Sequence, residues 1–178
     1  MKLSAEDLVQ RARQIRLVGF DVDGILTPGT LTFDEQGHET KSFHSRDGVG
    51  LKLLQQAGLT LALVTGRQSP IVTLRARELG ITHVFQGVHD KRQVMDTLLS
   101  DLGFRWDQLA YMGDDLPDLS VLCRSALALT VPEAPEEIRA AVHWVAPVGG
   151  GMGAARAAAT WLLQARGEWA RVLERWAD

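Results

Sequence analysis

Along this chain, short solid blocks of apolar residues alternate with stretches in which apolar residues recur at helical spacing. Leu17-Val18-Gly19-Phe20-Asp21-Val22 is the first block, followed by Leu59 to Val64, Ile81 to Phe85, Leu109 to Met112, Ala126 to Val131 and His143 to Ala146. Each block has the length of a strand, and none alternates as a strand with one wet face does, so they read as strands covered on both sides. The intervening segments predict helices over Gly48 to Ala57, about Ser69 to Leu79, Lys91 to Leu102, Asp118 to Arg124 and Pro135 to Ala141. Pro70 stands at a first helical position, and Gly58, Gly80 and Gly103 supply stops. A leading helix opens at Ser4 as N-cap, with Glu6 and Asp7 in its first turn and Leu8, Ala12 and Ile15 at helical spacing. Ala154 to Trp176 reads as largely helix, and core packing accounts for Trp161, Trp169 and Trp176. Strands alternating with helices of about ten residues predict an α/β fold, a Rossmann-like doubly wound parallel sheet in a single domain over 1–178.

Two segments break the rhythm. Thr30 to Phe33 and His38 to Phe43 have period two and flank Asp34-Glu35-Gln36-Gly37, which predicts a β-hairpin inserted after the first strand, over about 29–43. A lone hairpin cannot bury two faces, so its packing partner is expected outside the main core. Gly149-Gly150-Gly151-Met152-Gly153 reads as a flexible hinge, making the chain after about 149 a mobile tail.

Composition narrows the function classes. A net charge of −3 with no basic stretch speaks against holding nucleic acid by its phosphates. Cys123 is the single cysteine, which excludes an intrachain disulfide and a multi-cysteine zinc site and fits a reducing compartment. Met1 to Arg16 lacks the continuous apolar core of a signal peptide, and no run approaches a membrane span, so a cytoplasmic protein without a membrane partner is expected.

The chemistry gathers at strand ends. Asp21 and Asp23 close the first strand, Thr65 and Arg67 follow the second, and Asp114 and Asp115 follow the fourth. In a doubly wound sheet these ends share one rim, where ligands bind. Buried carboxylates there require a compensating cation. Asp21 and Asp114, with water and a main-chain carbonyl, make a hard oxygen site suited to Mg²⁺. Thr65 can offer a hydroxyl and an N–H to a phosphate, and Lys91 can neutralise both the phosphate and the crowded carboxylates. A carboxylate so placed can attack phosphorus while a second protonates the leaving oxygen and then activates water. Taken singly, each feature has a plainer reading: a solvated acidic turn, an acid-rich helix start, a surface lysine, a Thr-Gly turn. An EF-hand fails, because Gly24 falls too early and no glutamate closes the loop.

Together, Asp-Val-Asp-Gly-Ile-Leu-Thr from Asp21, Val-Thr-Gly-Arg ending at Arg67, Lys91, and Gly-Asp-Asp-Leu-Pro-Asp from Gly113 resemble, in order, the four motifs of the haloacid dehalogenase-like phosphatases. The resemblance implies Asp21 as a nucleophile forming a phosphoaspartate, and Asp23 as general acid and base whose main-chain carbonyl also ligates Mg²⁺. It further implies Thr65 and Lys91 as phosphate-holding residues and Asp114 as the remaining metal ligand, with Asp115 and Asp118 nearby. The intervals after the first and second motifs have no room for a large cap domain, so the enzyme is expected to be capless.

A closer resemblance runs from Ile15 to about Leu163. Lys41-Ser42-Phe43-His44-Ser45-Arg46-Asp47-Gly48-Val49-Gly50, the segment Leu79 to Gly87, and Gly150-Gly151-Met152-Gly153-Ala154-Ala155-Arg156 are similar to the 3-deoxy-D-manno-octulosonate 8-phosphate (KDO 8-phosphate) phosphatases. That family implies an Mg²⁺-dependent homotetramer of lipopolysaccharide sugar synthesis whose hairpins join subunits. It also implies contacts to a small anionic sugar phosphate from Asp23, His44, Ser45, Arg46, Asp47, Gly48, Lys52, Arg67, Arg75 and Lys91. A substrate carrying a phosphate and a 2-keto carboxylate suits such a supply of cations. Two departures stand out. His44 takes the place of a common asparagine, and Met152 that of the arginine in a Gly-Gly-Arg-Gly tail motif associated with closure over a neighbouring site. The alternatives are a phosphatase for a related nonulosonate such as KDN 9-phosphate, or a non-catalytic module assembled through the hairpin.

Overall fold

The structure, a computed structural model, describes residues 3–177; Met1, Lys2 and Asp178, which the single-domain reading also spans, lie outside the described residues. Helix α1 (Ala5–Gln14) starts in a capping box between Ser4 and Asp7 and leads into strand β1 (Leu17–Phe20). The two-residue strands β2 (Thr32–Phe33) and β3 (Glu39–Thr40) form the antiparallel hairpin. There follow α2 (Ser45–Gln56), β4 (Thr60–Val64), α3 (Pro70–Leu79), β5 (His83–Phe85), α4 (Lys91–Leu102) and β6 (Leu109–Met112). The chain ends with α5 (Leu116–Leu122), β7 (Leu127–Thr130), α6 (Glu136–Ala141), β8 (Trp144–Val145), α7 (Ala154–Ala165) and α8 (Trp169–Ala177).

Six strands pair in parallel in the order β5-β4-β1-β6-β7-β8. The apolar blocks lie at its centre: all of β1, β6 and β7 is buried, and β4 is buried beyond Thr60. From β1 the chain winds outward through β4 to β5, returns across β1, and winds the other way through β6 to β8. Right-handed crossovers then place α2 and α3 on one face and α4, α5 and α6 on the other. Helices α1 and α2 both pack on α7, and α5 packs between α4 and α6. The winding reverses between β1 and β6, and a crevice opens beyond the carboxyl ends of strands at such a reversal.

Several details differ from the pattern reading, and the following have a local reason. Strand β1 stops at Phe20, because the Val22 carbonyl draws the N–H groups of Ile25, Leu26 and Thr27 into a tight turn. Helix α2 starts at Ser45 rather than Gly48, since the His44 ring accepts the Arg46 N–H (3.2 Å) and caps the helix. Helix α5 starts at Leu116, with Pro117 absorbed in the first turn, where its missing N–H costs nothing. The C-terminal helix is two helices, broken at Gly167 (φ +78°). Trp161 stacks on Trp144 and Trp169 packs against the core, but Trp176 is 66% exposed, so core packing does not account for it.

Candidate active site

Three strand ends hold their first polar residue in place by one more ladder bond. The Asp21 N–H donates to Met112 O (2.9 Å), Thr65 N–H to Phe85 O (2.9 Å), and Gly113 N–H to Leu129 O (3.2 Å). Asp21, Thr65 and the Gly113-Asp114 step are therefore fixed by the sheet itself.

Past Asp21, the chain turns through Gly24 at φ +93°, which favours glycine. A Cβ there would also strike the Asp114 carboxylate, so the glycine lets the loop after β1 lie against the residue after β6. Gly151 closes the far side of this loop, its N–H donating to Ile25 O (2.9 Å).

Asp21, Asp114 and Asp118 each offer a carboxylate oxygen within 4.8 Å of the others. Lys91, at the first position of α4, lies between two of them, 2.8 Å from Asp21 and 2.7 Å from Asp118. Its ammonium is buried because Asp90 caps α4, accepting the Gln93 N–H, and so sets the first turn against the strand ends. Asp118 is well satisfied: it accepts from Lys91, from Tyr111 Oη (2.8 Å) and from the Asp114 and Asp115 N–H groups (3.2 and 3.4 Å). The Tyr111 ring fits because β1 has Gly19 opposite, where a Cβ would stand 2.6 Å from the ring. Thus a glycine in the first apolar block, a tyrosine in the fourth and a helix-capping acid jointly hold the lysine beside Asp21.

The electrostatics leave this cluster short of positive charge. Burial pushes the Asp21 carboxyl up to about 8, with the Asp118 charge adding to it and Lys91 opposing. Burial, then Asp118 and Asp115, push Asp114 up to about 6. Burial pulls Lys91 down, but Asp21 and Asp118 outweigh it and hold the ammonium above its ordinary range. One cation faces three carboxylates, and burying a carboxylate without compensation costs several kcal/mol. Moreover, Asp114 Oδ1 and Asp23 Oδ2 are buried without a hydrogen-bond partner among the described residues. An oxygen-rich, anionic donor set with unpartnered oxygens fits a hard divalent cation.

A second cluster, from the hairpin, closes the rim. Lys41, on the stretch after β3, buries its ammonium against Asp23 Oδ1. The same ammonium is 3.3 Å from Glu39 Oε1, which also accepts from Arg67 Nη2 (2.7 Å). Burial alone would raise Glu39, but the bonds from Arg67 and Lys41 outweigh it and hold its carboxyl below the usual range. Sequence reasoning missed Lys41 and Glu39. The available signal was a Glu-x-Lys pair on the returning hairpin arm, two residues before Phe43.

The other sequence-predicted contacts sit apart from these clusters. Asp47 is buried and accepts the Arg156 N–H (2.8 Å), placing its charge at the amino end of α7. Burial raises its carboxyl despite these main-chain donors. Arg75 stacks over Phe43 and pairs with Glu78 (3.2 Å), beside Gly48. Ser45, Arg46 and Lys52 are exposed on α2, and His44 is occupied with its cap.

A parallel sheet with a carboxylate pair after its central strand, a threonine after the next, a lysine at a helix start and a further acidic turn defines the haloacid dehalogenase-like class. Only the hairpin separates β1 from α2, and only α3 and β5 separate β4 from α4, so the enzyme class is represented here in its capless form. No protein-family model matches the chain. It is 40% identical to the KDO 8-phosphate phosphatase of Yersinia pestis over 152 residues, 85% of this chain and 81% of that one. With the Haemophilus influenzae phosphatase of the same name it shares 39% over 159 residues, 89% of this chain and 88% of the relative. The crystal structure of the Moraxella catarrhalis KDO 8-phosphate phosphatase, in complex with magnesium, phosphate and KDO, superposes with a TM-score of 0.94. That pair is 38% identical over 96% of this chain and 98% of the other. The chain belongs to the 3-deoxy-D-manno-octulosonate 8-phosphate phosphatase family.

Proposed function

We propose that this chain is a phosphomonoesterase that hydrolyses KDO 8-phosphate to KDO and inorganic phosphate through an aspartyl-phosphate. One observation carries the reading: the Asp21 carboxylate is buried at the switch of the sheet, 2.8 Å from the Lys91 ammonium. A structural carboxylate in that position would be destabilising, whereas a nucleophile facing an anionic phosphoryl group needs a cation at its side.

In the proposed sequence, an Asp21 carboxylate oxygen bonds to phosphorus and the bond from phosphorus to the sugar oxygen breaks. Asp23 gives that oxygen its proton. Asp23 then takes a proton from water, which attacks the phosphorus of the aspartyl-phosphate and regenerates the Asp21 carboxylate. Thr65, through its hydroxyl at the end of β4, and Lys91 hold the phosphoryl oxygens; the Thr65 N–H, expected from the sequence to join them, is instead committed to Phe85 O (2.9 Å). Asp21, Asp114 and the main-chain carbonyl of Asp23 would hold Mg²⁺, which when bound neutralises the phosphoryl oxygens and the carboxylates around them. Asp118 keeps Lys91 in position.

Arg67 stands at the rim and is assigned to the sugar's carboxylate. His44, Ser45 and Arg46, at the start of α2, Lys52 further along it, and Arg75 with Asp47 and Gly48 behind them, are assigned to the sugar in an assembled enzyme. Leu31 and Phe33, 48% and 53% exposed on the hairpin, support a homotetramer joined through that arm. The whole chain acts as one domain, and the segment after about 149, read from the sequence as a mobile tail, belongs to it through α7, whose Ala154, Ala155, Ala159 and Leu163 are buried in the core. A cytoplasmic setting agrees with the lone Cys123, and among the described residues no helix is long and apolar enough to cross a membrane.

The test is phosphate release with Mg²⁺ from KDO 8-phosphate, KDN 9-phosphate and simple sugar phosphates. Preference for KDO 8-phosphate, abolished by EDTA, is expected. Preference for KDN 9-phosphate would reassign the substrate, and no release from any of them would favour the assembly-module reading. Light scattering tests the tetramer, and a monomer would refute it.

A further inference from the structure

The hairpin brings a carboxylate to Arg67, a rim cation that has no other anionic partner among the described residues. Glu39 Oε1 accepts from Arg67 at 2.7 Å and lies 3.3 Å from Lys41, which is itself committed to Asp23. Arg67 is 43% exposed at its side chain and its main chain is held at the site, the Arg67 N–H donating to Thr65 Oγ1 (3.3 Å) and its carbonyl accepting from Gly87. Its guanidinium can therefore exchange partners without the backbone moving. Glu39, by contrast, is held on Arg67 and Lys41 through its carboxylate alone, so a turn of its side chain releases it with the hairpin in place.

We propose that Glu39 is a specificity-determining residue that occupies, in the free protein, the position on Arg67 later taken by the carboxylate of the substrate. The inference rests on the proposed assignment of Arg67 to a carboxylate-bearing sugar phosphate. An arriving carboxylate replaces a carboxylate, so the guanidinium is never left unpaired; the exchange gives up the Glu39–Lys41 contact at 3.3 Å, and Lys41 keeps Asp23. A phosphate monoester without a second anion has nothing to put in place of Glu39. It binds with Glu39 still on Arg67, and a bulky leaving group then meets the Glu39 side chain. Selection thus comes from a repulsive group that the right ligand displaces as well as from attraction. Lys41 couples the exchange to chemistry: with Glu39 gone, its ammonium retains Asp23 as its only carboxylate partner.

Calorimetric titration separates the two ends of the ligand, using KDO, which has the carboxylate and no phosphate, and inorganic phosphate. Glu39→Gln, which keeps size and removes charge, is expected to tighten KDO binding about three- to fivefold, the scale of a part-exposed ion pair, while phosphate affinity changes by less than twofold. In the Arg67→Met background the same change is expected to give no gain. In turnover, Glu39→Gln lowers KM for a carboxylate-bearing sugar phosphate and leaves kcat and the KM for p-nitrophenyl phosphate within twofold. Equal tightening of KDO and phosphate would overturn the proposal, since a general field effect would then suffice. Unchanged or weaker KDO binding would overturn it too. If the wild-type enzyme binds KDO but does not hydrolyse KDO 8-phosphate, the functional reading fails while the titration still decides the role of Glu39.

Discussion

The floor and the wall of this site are both built from ion pairs, yet they are built differently. On the floor, Asp21, Lys91 and Asp118 are buried and fixed by strand ends, a helix start and the Tyr111 hydroxyl. On the wall, Glu39 of the hairpin meets Arg67 of the loop after β4, whose side chain is 43% exposed, while the Lys41 side chain is buried. Charges on the floor cannot relax, so each removal leaves another charge uncompensated at low dielectric. Charges on the wall trade partners with solvent or ligand at small cost. The difference teaches where reactivity and selection reside: the floor holds a reactive group against its preference for water, and the wall exchanges ions.

The largest effect should come from the floor's reacting atom. Asp21→Asn removes the nucleophile but keeps the shape, so phosphate release should fall by at least about a thousandfold. The thermal midpoint should not fall, because one of three crowded carboxylates has been neutralised. An active variant would break the contrast, since the floor would then be a scaffold.

Next comes Lys91→Met, which leaves Asp21 and Asp118 buried with no ammonium. Stability should drop by about 3–5 kcal/mol in urea unfolding, the cost of breaking a buried pair from one side. A change below about 1 kcal/mol would place the floor in the same electrostatic regime as the wall.

A third effect is linked to pH. Asp21, near 8, and Asp114, near 6, sit above the ordinary carboxylate value of 3.8, so the native state keeps protons that the unfolded chain has already lost. Their stabilising contribution is complete below the unfolded value and is lost as pH rises through the folded values. In chelator, stability should therefore fall from pH 5 to pH 8. Mg²⁺, which binds the deprotonated groups, should raise the thermal midpoint more at pH 8 than at pH 5. His143, lowered by burial, works in the opposite sense, so the difference between wild type and Asp21→Asn isolates the carboxylate. A Mg²⁺ shift independent of pH would break the floor's assignment as the cation site.

The same contrast explains what could be read from the chain. Asp21, Thr65 and Asp114 were legible because each follows an apolar run, and a parallel sheet sends all such ends to one rim. Lys91 was legible only through the order of motifs, since nothing local to Lys-Arg-Gln-Val announces a buried ammonium. Lys41 and Glu39 were not legible as site residues. Their place depends on how a hairpin with two-residue strands folds back over the sheet, a tertiary outcome with no local periodicity. Asp47 was named through its motif, but its bond to the amino end of α7 was not legible, because the Arg156 N–H that it accepts lies 109 residues further along the chain. His44 caps α2 through Nδ1, a position in which asparagine serves equally, so that departure leaves local structure unaltered.

The smallest effect probes how the floor is supported from behind. Tyr111 is fully buried, and burial, then Asp118, raises its phenol far above the ordinary value, so it stays neutral and donates to Asp118 at every working pH. Tyr111→Phe keeps the ring against Gly19 and removes one donor. Asp118 retains Lys91 and two main-chain N–H groups, so the loss should be about 1 kcal/mol, with kcat within threefold. If kcat instead falls tenfold or more at similar stability, the hydroxyl is setting the position of Lys91 through Asp118. Support for the reacting carboxylate would then extend through the sheet as far as β6.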